Sequence, residues 1–396
     1  MKAMFFNLPA HGHVNPTIPL VKEIIKSGDT VIYYNIREFQ KKIESSGAEF
    51  RTCSEIEEHE IFLAENPFEL ANSLWNASED FFPFFISEIE KEKPDFIIHD
   101  SLCTWGWALA KIFKIPAICS TTTFALNFHV FREVSNFPWN GLENFWKGRN
   151  FIYPLKRKIQ KLQKQYKFPK RDLLSSLTNS SDLNLVFTSK EFQPASNTFS
   201  SNYHFIGPSV PDAQETGDFP METLVENPVV YISLGTLRNN RLDFFNTCIE
   251  AFQDLPFTFV LSIGNKVDHS NLLKNPANFI IRTSVPQIEI LKKANLFITH
   301  GGMNSVNEGL YFGVPLLVFP QTSEQSMVAR RVESLGAGQY LSEKDISKKI
   351  LIKKVFEVLN NSKYYDSAQK QKYFLHNAGG LQRAVQLNRQ FKDNFT

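Results

Sequence analysis

The chain has 396 residues, a hydrophobic fraction of 42% and a formal net charge of +2. This length predicts two domains, and the hydrophobic fraction excludes an intrinsically disordered chain. The nearly neutral charge removes any electrostatic reason to expect nucleic-acid binding. Four cysteines are scattered and form no CxxC pair, which argues against a zinc site and a disulfide framework: Cys53, Cys103, Cys119 and Cys248.

No segment has the pattern of a signal peptide or a membrane span. A strand-like run from Ala3 to Leu8 follows Met1, without a basic region and a long apolar core. No uninterrupted apolar stretch approaches the roughly 20 residues that a transmembrane helix needs. We therefore expect a soluble, cytoplasmic protein without stable membrane insertion.

The first half of the chain alternates short β-rich runs with helical patterns, which is typical of a doubly wound parallel sheet. The segment 124–168 is predicted to be irregular at first and then basic, either as a solvated helix face or as a surface attracted to anionic membranes. The predicted strands are Met4–Leu8, Thr30–Tyr34 and Phe96–His99, and the predicted helices are Pro16–Lys26, Phe39–Ser46, Phe68–Lys91 with a break near Pro83, and Trp105–Phe113.

The alternation restarts after a turn-rich polar stretch, so the chain is predicted to contain two α/β domains. We expect a first domain at 1–206, a linker at 207–222, a second domain at 223–379 and a terminal helix at about 380–396. In the second domain the predicted strands are Val229–Leu234, Phe257–Ile263, Leu296–Thr299 and Pro315–Phe319, and the predicted helices are Leu242–Gln253, Gln287–Lys292 and Met303–Tyr311.

His13 stands between the first predicted strand and the first predicted helix. Ligands of open α/β sheets bind at the carboxyl ends of strands, so this loop is a candidate site. The positive end of the helix dipole disfavours an imidazolium, which predicts a neutral His13 that can accept a proton. A histidine in such a loop can equally have a structural role.

Asp100 stands at the end of the predicted strand Phe96–His99. Because the carboxyl ends of adjacent parallel strands face one crevice, we expect Asp100 to reach His13. It would hold the Nδ1–H of His13 and stabilise the cation that forms later. The alternative is that Asp100 caps the helix that follows.

The loop 300–305, with the sequence HGGMNS, joins a strand to a helix in the second half. Glycines allow close approach of the backbone, and N–H groups at a helix N-terminus favour a phosphate. His300, Asn304 and Ser305 add side-chain donors, and Glu308 lies one turn beyond, where a carboxylate suits ribose hydroxyls. The alternative is an ordinary glycine turn with a buried histidine.

Two weaker patterns also occur at strand ends. Ser233-Leu234-Gly235-Thr236 offers small and hydroxyl residues, and Glu324-Gln325 pairs a carboxylate with an amide, which can bind vicinal sugar hydroxyls. The chain has no Asp-x-Asp, His-x-x-x-His or P-loop motif, so we expect no metal ion and no bound cofactor. Helix N-termini and neutral donors would instead stabilise a leaving diphosphate.

This ordered set of motifs resembles the family 1 glycosyltransferases, and among them the bacterial macrolide-type UDP-glycosyltransferases. The resemblance spans nearly the whole chain: HGHVNP at 11–16, Asp100, SLGT at 233–236, VPQ at 285–287, HGGMNS at 300–305 and PQxxEQ at 320–325. It implies the GT-B fold, an α/β fold of two Rossmann-like doubly wound domains facing a cleft. The N-terminal domain would bind the acceptor and the C-terminal domain the nucleotide sugar, with the terminal helix packing back on the first domain.

The resemblance also implies roles for individual residues. His13 would deprotonate the acceptor hydroxyl and Asp100 would orient His13, so that the oxygen attacks the anomeric carbon with inversion. The implied donor-binding residues contact the phosphates (Thr236, His300, Asn304, Ser305), the nucleoside (Val285, Gln287, Glu308) and the sugar (Glu324, Gln325). Ser233, Gly235, Arg282 and Gly302 are also implied to bind the donor.

One position departs from the family pattern. The residue before Val285 is often an aromatic side chain that stacks on uracil, whereas this chain has Ser284. The guanidinium plane of Arg282 could substitute for that ring. How strictly the base is selected is therefore left open.

The acceptor is predicted from aromatic residues of the first half. Trp75, Phe84, Phe85 and Trp139 are the predicted acceptor contacts, although the abundance of Phe, 37 residues, is also explained by core packing. They belong to a larger aromatic set that includes Phe81, Phe82, Trp105, Phe137 and Trp146. We expect a lipophilic hydroxylated small molecule such as a polyketide, macrolide or phenolic compound, and glucose as the sugar.

Three other functions stay open: a sugar-nucleotide 2-epimerase, a membrane-associated lipid glycosyltransferase that uses the basic stretch after Lys156, and a non-catalytic nucleotide-sugar-binding helper. The pairing of His13 with Asp100 favours transfer over the first and the last. The expected partners are a UDP-sugar donor and the small acceptor, with the protein as a monomer or weak dimer.

Overall fold

The computed structural model describes residues 1–58, 67–134, 139–171, 178–211, 213–225, 227–236, 238–273 and 275–395, without the side chains of residues 55, 58, 67, 134 and 139–148. The chain divides into two compact units. One unit comprises Met1–Ser209 together with Ala378–Thr396, and the other comprises Val210–Asn377. The acceptor and donor roles assigned to the two halves stay predictions.

Strands and helices alternate in both units. Up to residue 205 they are β1 (Lys2–Phe6), α1 (His11–Lys26), β2 (Thr30–Tyr34), α2 (Gln40–Glu44), β3 (Glu49–Arg51), α3 (Ser54–Glu58), α4 (Pro67–Glu92), β4 (Phe96–Asp100), α5 (Thr104–Phe113), β5 (Ala117–Thr121), α6 (Phe128–Val134), α7 (Trp139–Tyr166), β6 (Leu183–Val186) and β7 (Tyr203–Phe205). From residue 229 they are β8 (Val229–Ser233), α8 (Leu242–Phe252), β9 (Thr258–Ser262), β10 (Phe279–Arg282), α9 (Gln287–Leu291), β11 (Ala294–Thr299), α10 (Met303–Tyr311), β12 (Leu316–Val318), α11 (Ser323–Ser334), β13 (Gly338–Tyr340), α12 (Lys348–Asn360), α13 (Ser362–Asn377) and α14 (Gly380–Asp393).

Each unit is built on one parallel sheet. In the described part of the first unit the strand order is β3-β2-β1-β4-β5-β6-β7, and in that of the second it is β10-β9-β8-β11-β12-β13. The central strands β4 and β8 are buried along their whole length, as expected for a sheet covered by helices on both faces. In each unit the strand order reverses beside the first strand, so polar residues after β1 and β4, and after β8 and β11, lie at the same sheet edge.

The terminal helix α14 packs on the first unit, against α1. The Gly380 N–H donates to the Ile206 carbonyl at 2.7 Å, and Lys392 Nζ lies 2.5 Å from the Asp29 carboxylate. Phe391 stays in the apolar core of this unit. The last helix is therefore an integral part of the first sheet's helical layer.

The first helix begins earlier than predicted. It starts at His11 instead of Pro16, and it contains both Pro16 and Pro19. Proline lacks the N–H of a regular helical hydrogen bond, which made Pro16 a reasonable start. In the structure Asn7 Nδ2 donates to the His13 carbonyl at 3.0 Å and Thr17 Oγ1 donates to the Val14 carbonyl at 2.8 Å, so side chains support this proline-containing turn.

Two further predictions about helices are wrong. No break occurs at Pro83, because α4 continues through it while Phe82 and Phe85 are fully buried on either side. That burial outweighs a proline penalty of about 3 kcal/mol. The described part of the segment 124–168 is largely helical, in α6 and α7, so the prediction of an irregular start is wrong, whereas the basic run does lie on a helix. Lys158 and Lys161 of that run form ion pairs with Glu79 of α4.

Within the described ranges, no helix is both long enough and apolar enough to cross a membrane.

Candidate active site

His13 and Asp100 are in direct contact at the carboxyl edge of the first sheet. His13 lies in the first turn of α1, and its Nδ1 is 2.7 Å from Asp100 Oδ2. The Asp100 side chain is fully buried, whereas the His13 side chain keeps 11% of its surface exposed. Because a carboxylate only accepts hydrogen bonds, the proton of a neutral imidazole lies on Nδ1, which makes Nε2 the basic nitrogen of the ring.

Asp100 does not cap the helix that follows, so its alternative interpretation is wrong, but its side chain does have a structural contact. Its Oδ1 accepts a hydrogen bond from the Leu102 N–H at 2.7 Å, in the turn that leads into α5. The helix itself begins at Thr104, after Cys103 as the capping residue. One carboxylate oxygen thus holds the turn before α5 and the other binds His13.

Thr122 is a third member of this cluster, and the sequence analysis missed it. Its Oγ1 lies 3.1 Å from His13 Nδ1, and the residue is buried. Thr122 directly follows β5, the strand next to β4 in the sheet. The missed signal was the strand Ala117–Thr121, which would have placed Thr122 at the same edge as Asp100.

Behind His13, a buried polar network holds the start of α1. Asn7 Nδ2 donates to the His13 carbonyl at 3.0 Å and to the Tyr33 hydroxyl at 2.5 Å. The Tyr33 and Thr17 hydroxyls are 2.9 Å apart. Burial raises the pKa of the Tyr33 phenol well above its usual range, so it stays a neutral hydrogen-bonding group. The backbone that carries His13 is therefore fixed from inside the protein.

His99, the residue before Asp100, has a hydrogen-bond partner for each of its two ring nitrogens. Its Nδ1 lies 2.9 Å from the Asp100 carbonyl and its Nε2 lies 2.7 Å from Ser181 Oγ. Burial lowers the pKa of His99 to about 4, so the ring is neutral at physiological pH. This histidine is structural and holds the end of β4 in place.

At the carboxyl edge of the second sheet, His300 lies between two glycines. A Cβ atom built on Gly235 would come within 2.5 Å of His300 Cε1, and one built on Gly302 would come within 2.5 Å of His300 Nε2. Gly235 also has a φ of +73°, which side chains rarely adopt. The loops after β8 and β11 thus need glycine to accommodate the imidazole ring.

Burial lowers the pKa of His300 to about 4, so its ring is neutral as well. The backbone of Ser233 lies near enough to oppose that shift in part. Nevertheless, His300 Nδ1 is buried without a hydrogen bond of standard geometry to any described residue. Unlike His99, this histidine is held by packing between two glycines and not by standard hydrogen bonds from both ring nitrogens.

The predicted phosphate and ribose contacts share one short helix. Asn304, Ser305 and Glu308 belong to α10, which begins directly after Gly302, and all three are partly exposed. Glu308 Oε2 accepts a hydrogen bond from Gln287 Nε2, at the start of α9. Burial raises the pKa of Glu308 to about 7.

The remaining predicted donor residues lie in loops of the second unit. Arg282, at the end of β10, is exposed and its Nη1 donates to the Ile281 carbonyl at 3.0 Å. Thr236 is exposed, Val285 is partly exposed and Ser233 is buried. The positions of these residues do not test the predicted contacts with a nucleotide, which stay predictions.

Glu324 and Gln325 open α11. Thr322 caps this helix, since its Oγ1 accepts from the Gln325 N–H at 3.2 Å. The Gln325 side-chain carbonyl accepts from the Gln321 N–H at 2.8 Å. That bond fixes the amide orientation of Gln325 and directs its NH₂ group away from the loop backbone, while Glu324 is exposed.

The predicted acceptor residues are mostly core residues. Trp75 and Phe85 are fully buried, with Trp75 stacked on Phe168 at 5.6 Å between ring centroids. Phe84 is partly buried and packs against Tyr34. Packing accounts for these rings without an acceptor, and the side chain of Trp139 lies outside the described residues. Their contact with an acceptor stays a prediction.

Comparison with known proteins identifies relatives along the whole chain. The family described as UDP-glucoronosyl and UDP-glucosyl transferase matches residues 163–378. The "Uncharacterized UDP-glucosyltransferase YojK" of Bacillus subtilis is 34% identical over 389 residues, which cover 96% of this chain and 95% of the relative. The "NDP-glycosyltransferase YjiC" of Bacillus licheniformis is also 34% identical, with coverage of 96% and 95%.

A solved structure has the same architecture. The glycotransferase of kitacinnamycin superimposes with a TM-score of 0.82 at 25% identity and covers 98% of each chain. This likeness, with the two parallel sheets, confirms the predicted fold class of two Rossmann-like α/β domains, GT-B.

Proposed function

Because the chain belongs to the UDP-glucoronosyl and UDP-glucosyl transferase family and is a glycosyltransferase, we propose that it transfers glucose from UDP-glucose to a hydroxyl group of a small lipophilic acceptor, with inversion at the anomeric carbon. The observation that carries this proposal is the buried contact of 2.7 Å between Asp100 and His13 Nδ1. It makes Nε2 the basic nitrogen of a histidine whose side chain keeps 11% of its surface exposed, which suits a general base.

In the proposed reaction His13 takes the proton from the acceptor hydroxyl. The oxygen forms a bond to the anomeric carbon while the bond from that carbon to the diphosphate oxygen breaks. The proton stays on His13 as imidazolium, and the Asp100 carboxylate stabilises this cation. Thr122 Oγ1, which lies 3.1 Å from Nδ1 of His13, helps to hold the ring.

The second unit supplies what the leaving UDP requires. The first N–H groups of α10 follow Gly302 and have no helical partner of their own, which makes the helix start an anion site. Asn304 and Ser305 lie in the first turn of that helix, and neutral His300 precedes it. We propose that these groups stabilise the diphosphate without a metal ion or other cofactor.

The identities of the sugar and of the acceptor have weaker support than the reaction type. A relative that carries the name UDP-glucosyltransferase supports UDP and glucose, although another is named more broadly as an NDP-glycosyltransferase. The kitacinnamycin structure supports a natural product as acceptor, such as a polyketide, macrolide or phenolic compound. A cytoplasmic location and a monomer or weak dimer stay predictions.

The test is an assay of UDP-glucose against a panel of phenolic and macrolide acceptors, with products read by mass spectrometry. We expect at least one acceptor to gain a hexose with release of UDP. A parallel reaction without acceptor serves as the control. Conversion of the donor to an epimer in that control, together with no transfer to any acceptor of the panel, would contradict the proposal.

A further inference from the structure

Tyr231 is a buried tyrosine of the second sheet that the sequence motifs do not include. It lies in the middle of β8 and is 1% exposed. Its ring stacks on Phe297, its register partner in β11, with 4.7 Å between the centroids and 12° between the planes. Because this packing fixes the ring, the hydroxyl group has one well-defined position.

That hydroxyl is the first donor in a chain of hydrogen bonds. Tyr231 Oη donates to Gln287 Oε1 at 2.8 Å. Gln287 Nε2 in turn donates to Glu308 Oε2. Burial raises the pKa of Tyr231 well above its usual range, so the phenol keeps its proton at any working pH.

The direction of this chain sets the orientation of the Gln287 amide. A flipped amide would turn its carbonyl oxygen toward the Glu308 carboxylate, and two acceptors would then face each other. The proton of Tyr231 favours the other orientation, in which the NH₂ group faces Glu308. The side chains of Ser233 and Ser262, at the ends of two paired strands, lie near this phenol.

We propose that Tyr231 is a positioning residue for the donor nucleotide: it fixes the amide of Gln287 and, through it, aims the carboxylate of Glu308 at the ribose. This inference rests on the proposed function, in which Gln287 and Glu308 bind the nucleoside. Tyr231 itself is buried and acts through Gln287.

The proposal has a consequence for pH dependence. Burial raises the pKa of Glu308 to about 7, and the hydrogen bond from Gln287 opposes this rise. Loss of the Tyr231 hydroxyl lets the Gln287 amide rotate and weakens that bond, so the pKa of Glu308 rises further. The carboxylate that accepts from the ribose is then lost at a higher pH.

The experiment measures UDP binding by calorimetry between pH 6 and 8.5 for the full chain and for Tyr231→Phe, which keeps the ring and removes the hydroxyl. We expect the Kd for UDP to rise about three- to tenfold at pH 7, as for one lost hydrogen bond. The acid limb of binding should move to higher pH, and kcat should stay nearly unchanged while KM for UDP-glucose rises.

Tyr364→Phe is the matched control. Its hydroxyl accepts from Gln339 Nε2 at 2.7 Å, so it loses a tyrosine–glutamine hydrogen bond in the same unit but away from the nucleotide loops. We expect its UDP binding to match the wild type at every pH. An equal effect of both variants would mean that Tyr231 acts through general stability, which overturns the proposal.

Gln287→Ala provides a second route to the same answer. It should shift the acid limb by itself, and adding Tyr231→Phe to it should have no further effect. If Tyr231→Phe weakens binding equally at every pH, or weakens it undiminished in the Gln287→Ala background, Tyr231 does not act through Gln287. If the wild type binds UDP and Tyr231→Phe binds it identically, only this inference fails, whereas a wild type without UDP binding or transfer overturns the proposed function as well.

Discussion

The carboxyl edges of the two sheets use the same kinds of residue, but their hydrogen bonds are satisfied to different degrees. At the first edge, Asp100 and Thr122 both hydrogen-bond to His13, and His99 uses both of its ring nitrogens. At the second edge, Nδ1 of His300 is buried without a hydrogen bond of standard geometry to the described residues.

This difference separates two kinds of site. A side chain that must transfer a proton benefits from a fixed tautomer and a fixed orientation, which the first edge provides before any substrate binds. A site for a charged ligand benefits from backbone N–H groups at a helix N-terminus, and the second edge provides these beside glycines. The first edge therefore has the chemistry of a base, and the second has the chemistry of a binding site.

Removal of His13 should have the largest effect. We expect His13→Ala to lower kcat for aliphatic alcohol acceptors by about 10²- to 10⁴-fold, the usual contribution of a general base. UDP affinity should stay unchanged, because His13 belongs to the other unit. An acidic phenol or a thiol ionises by itself and should lose less. Initial rates and UDP titration measure the two quantities separately.

His11 provides the matched control for that substitution. It is the first residue of α1, lies 3.3 Å from the exposed Glu38 and keeps 40% of its side chain exposed. His11→Ala should retain nearly the full activity. An equal loss for all acceptors in His13→Ala, together with weaker UDP binding, would show that His13 is structural and that the contrast between the edges is misread.

The second edge should discriminate ribose from deoxyribose. If Glu308 accepts from both ribose hydroxyls, a donor without the 2′-hydroxyl leaves one acceptor position unpaired. Such a loss costs about 1–3 kcal/mol, or about 5- to 150-fold in affinity. UDP-glucose and the ribo-form of TDP-glucose should react about equally, since Ser284 leaves room for the thymine methyl, and deoxy-UDP-glucose should react poorly.

Glu308→Ala tests which residue makes this distinction. Efficiency with UDP-glucose should fall, and most of the gap between UDP-glucose and deoxy-UDP-glucose should disappear. The measurement is kcat/KM for both donors with wild type and variant. A variant that keeps the full preference would place the ribose contact elsewhere.

The closed hydrogen bonding of His99 predicts a smaller, acid-dependent effect on stability. The pKa of His99 is about 4 in the folded protein, and about 6.5 in an unfolded chain. The unfolded state therefore takes up the proton first, and stability is lost as the pH falls from about 6.5 toward 4. At pH 5 this amounts to about 2 kcal/mol. His300 acts with the same sign, and Glu308 with the opposite sign.

A difference measurement isolates His99 from those groups. His99→Asn replaces the imidazole with an amide that can still hydrogen-bond but does not titrate. The loss of unfolding free energy between pH 7.5 and pH 5 should therefore be smaller for this variant than for the wild type. His129→Asn, at an exposed position of α6, is the control and should follow the wild type. Identical pH dependence of all three proteins would contradict a buried neutral His99.

The sequence was sufficient for the parts of the site that follow a recognised strand. Asp100 follows a continuous apolar run, and His13 precedes a periodic helix, so their meeting at one sheet edge could be predicted. Thr122 was missed because the strand Ala117–Thr121 was not recognised. The start of α1 was misplaced because a proline in a helix is normally unfavourable, and the support from Asn7 depends on tertiary contacts.

The aromatic residues show the opposite limit. Trp75 and Phe85 are residue types that line apolar pockets, but the same types also fill protein cores. In the structure both side chains are fully buried. Tyr231 is the opposite case. Its sequence context indicates an ordinary strand residue, and only its hydrogen bond to Gln287 connects it with the site. Side-chain partners of this kind are set by tertiary packing and not by local pattern.

The smallest expected effect is that of a chelator, which should leave transfer unchanged. A metal-dependent transferase uses the cation to neutralise the leaving diphosphate, and carboxylates bind that cation. This chain lacks an Asp-x-Asp motif, and the side chains next to its predicted phosphate loop are His300, Asn304 and Ser305, which are neutral. If the α10 N-terminus and these donors supply the stabilisation, rates with EDTA and with added Mg²⁺ should agree within error, and added salt should lower them gradually by screening the diphosphate. Complete loss of transfer in EDTA that Mg²⁺ or Mn²⁺ restores would mean that the helix N-terminus and these neutral side chains are insufficient, and that the diphosphate binds together with a cation.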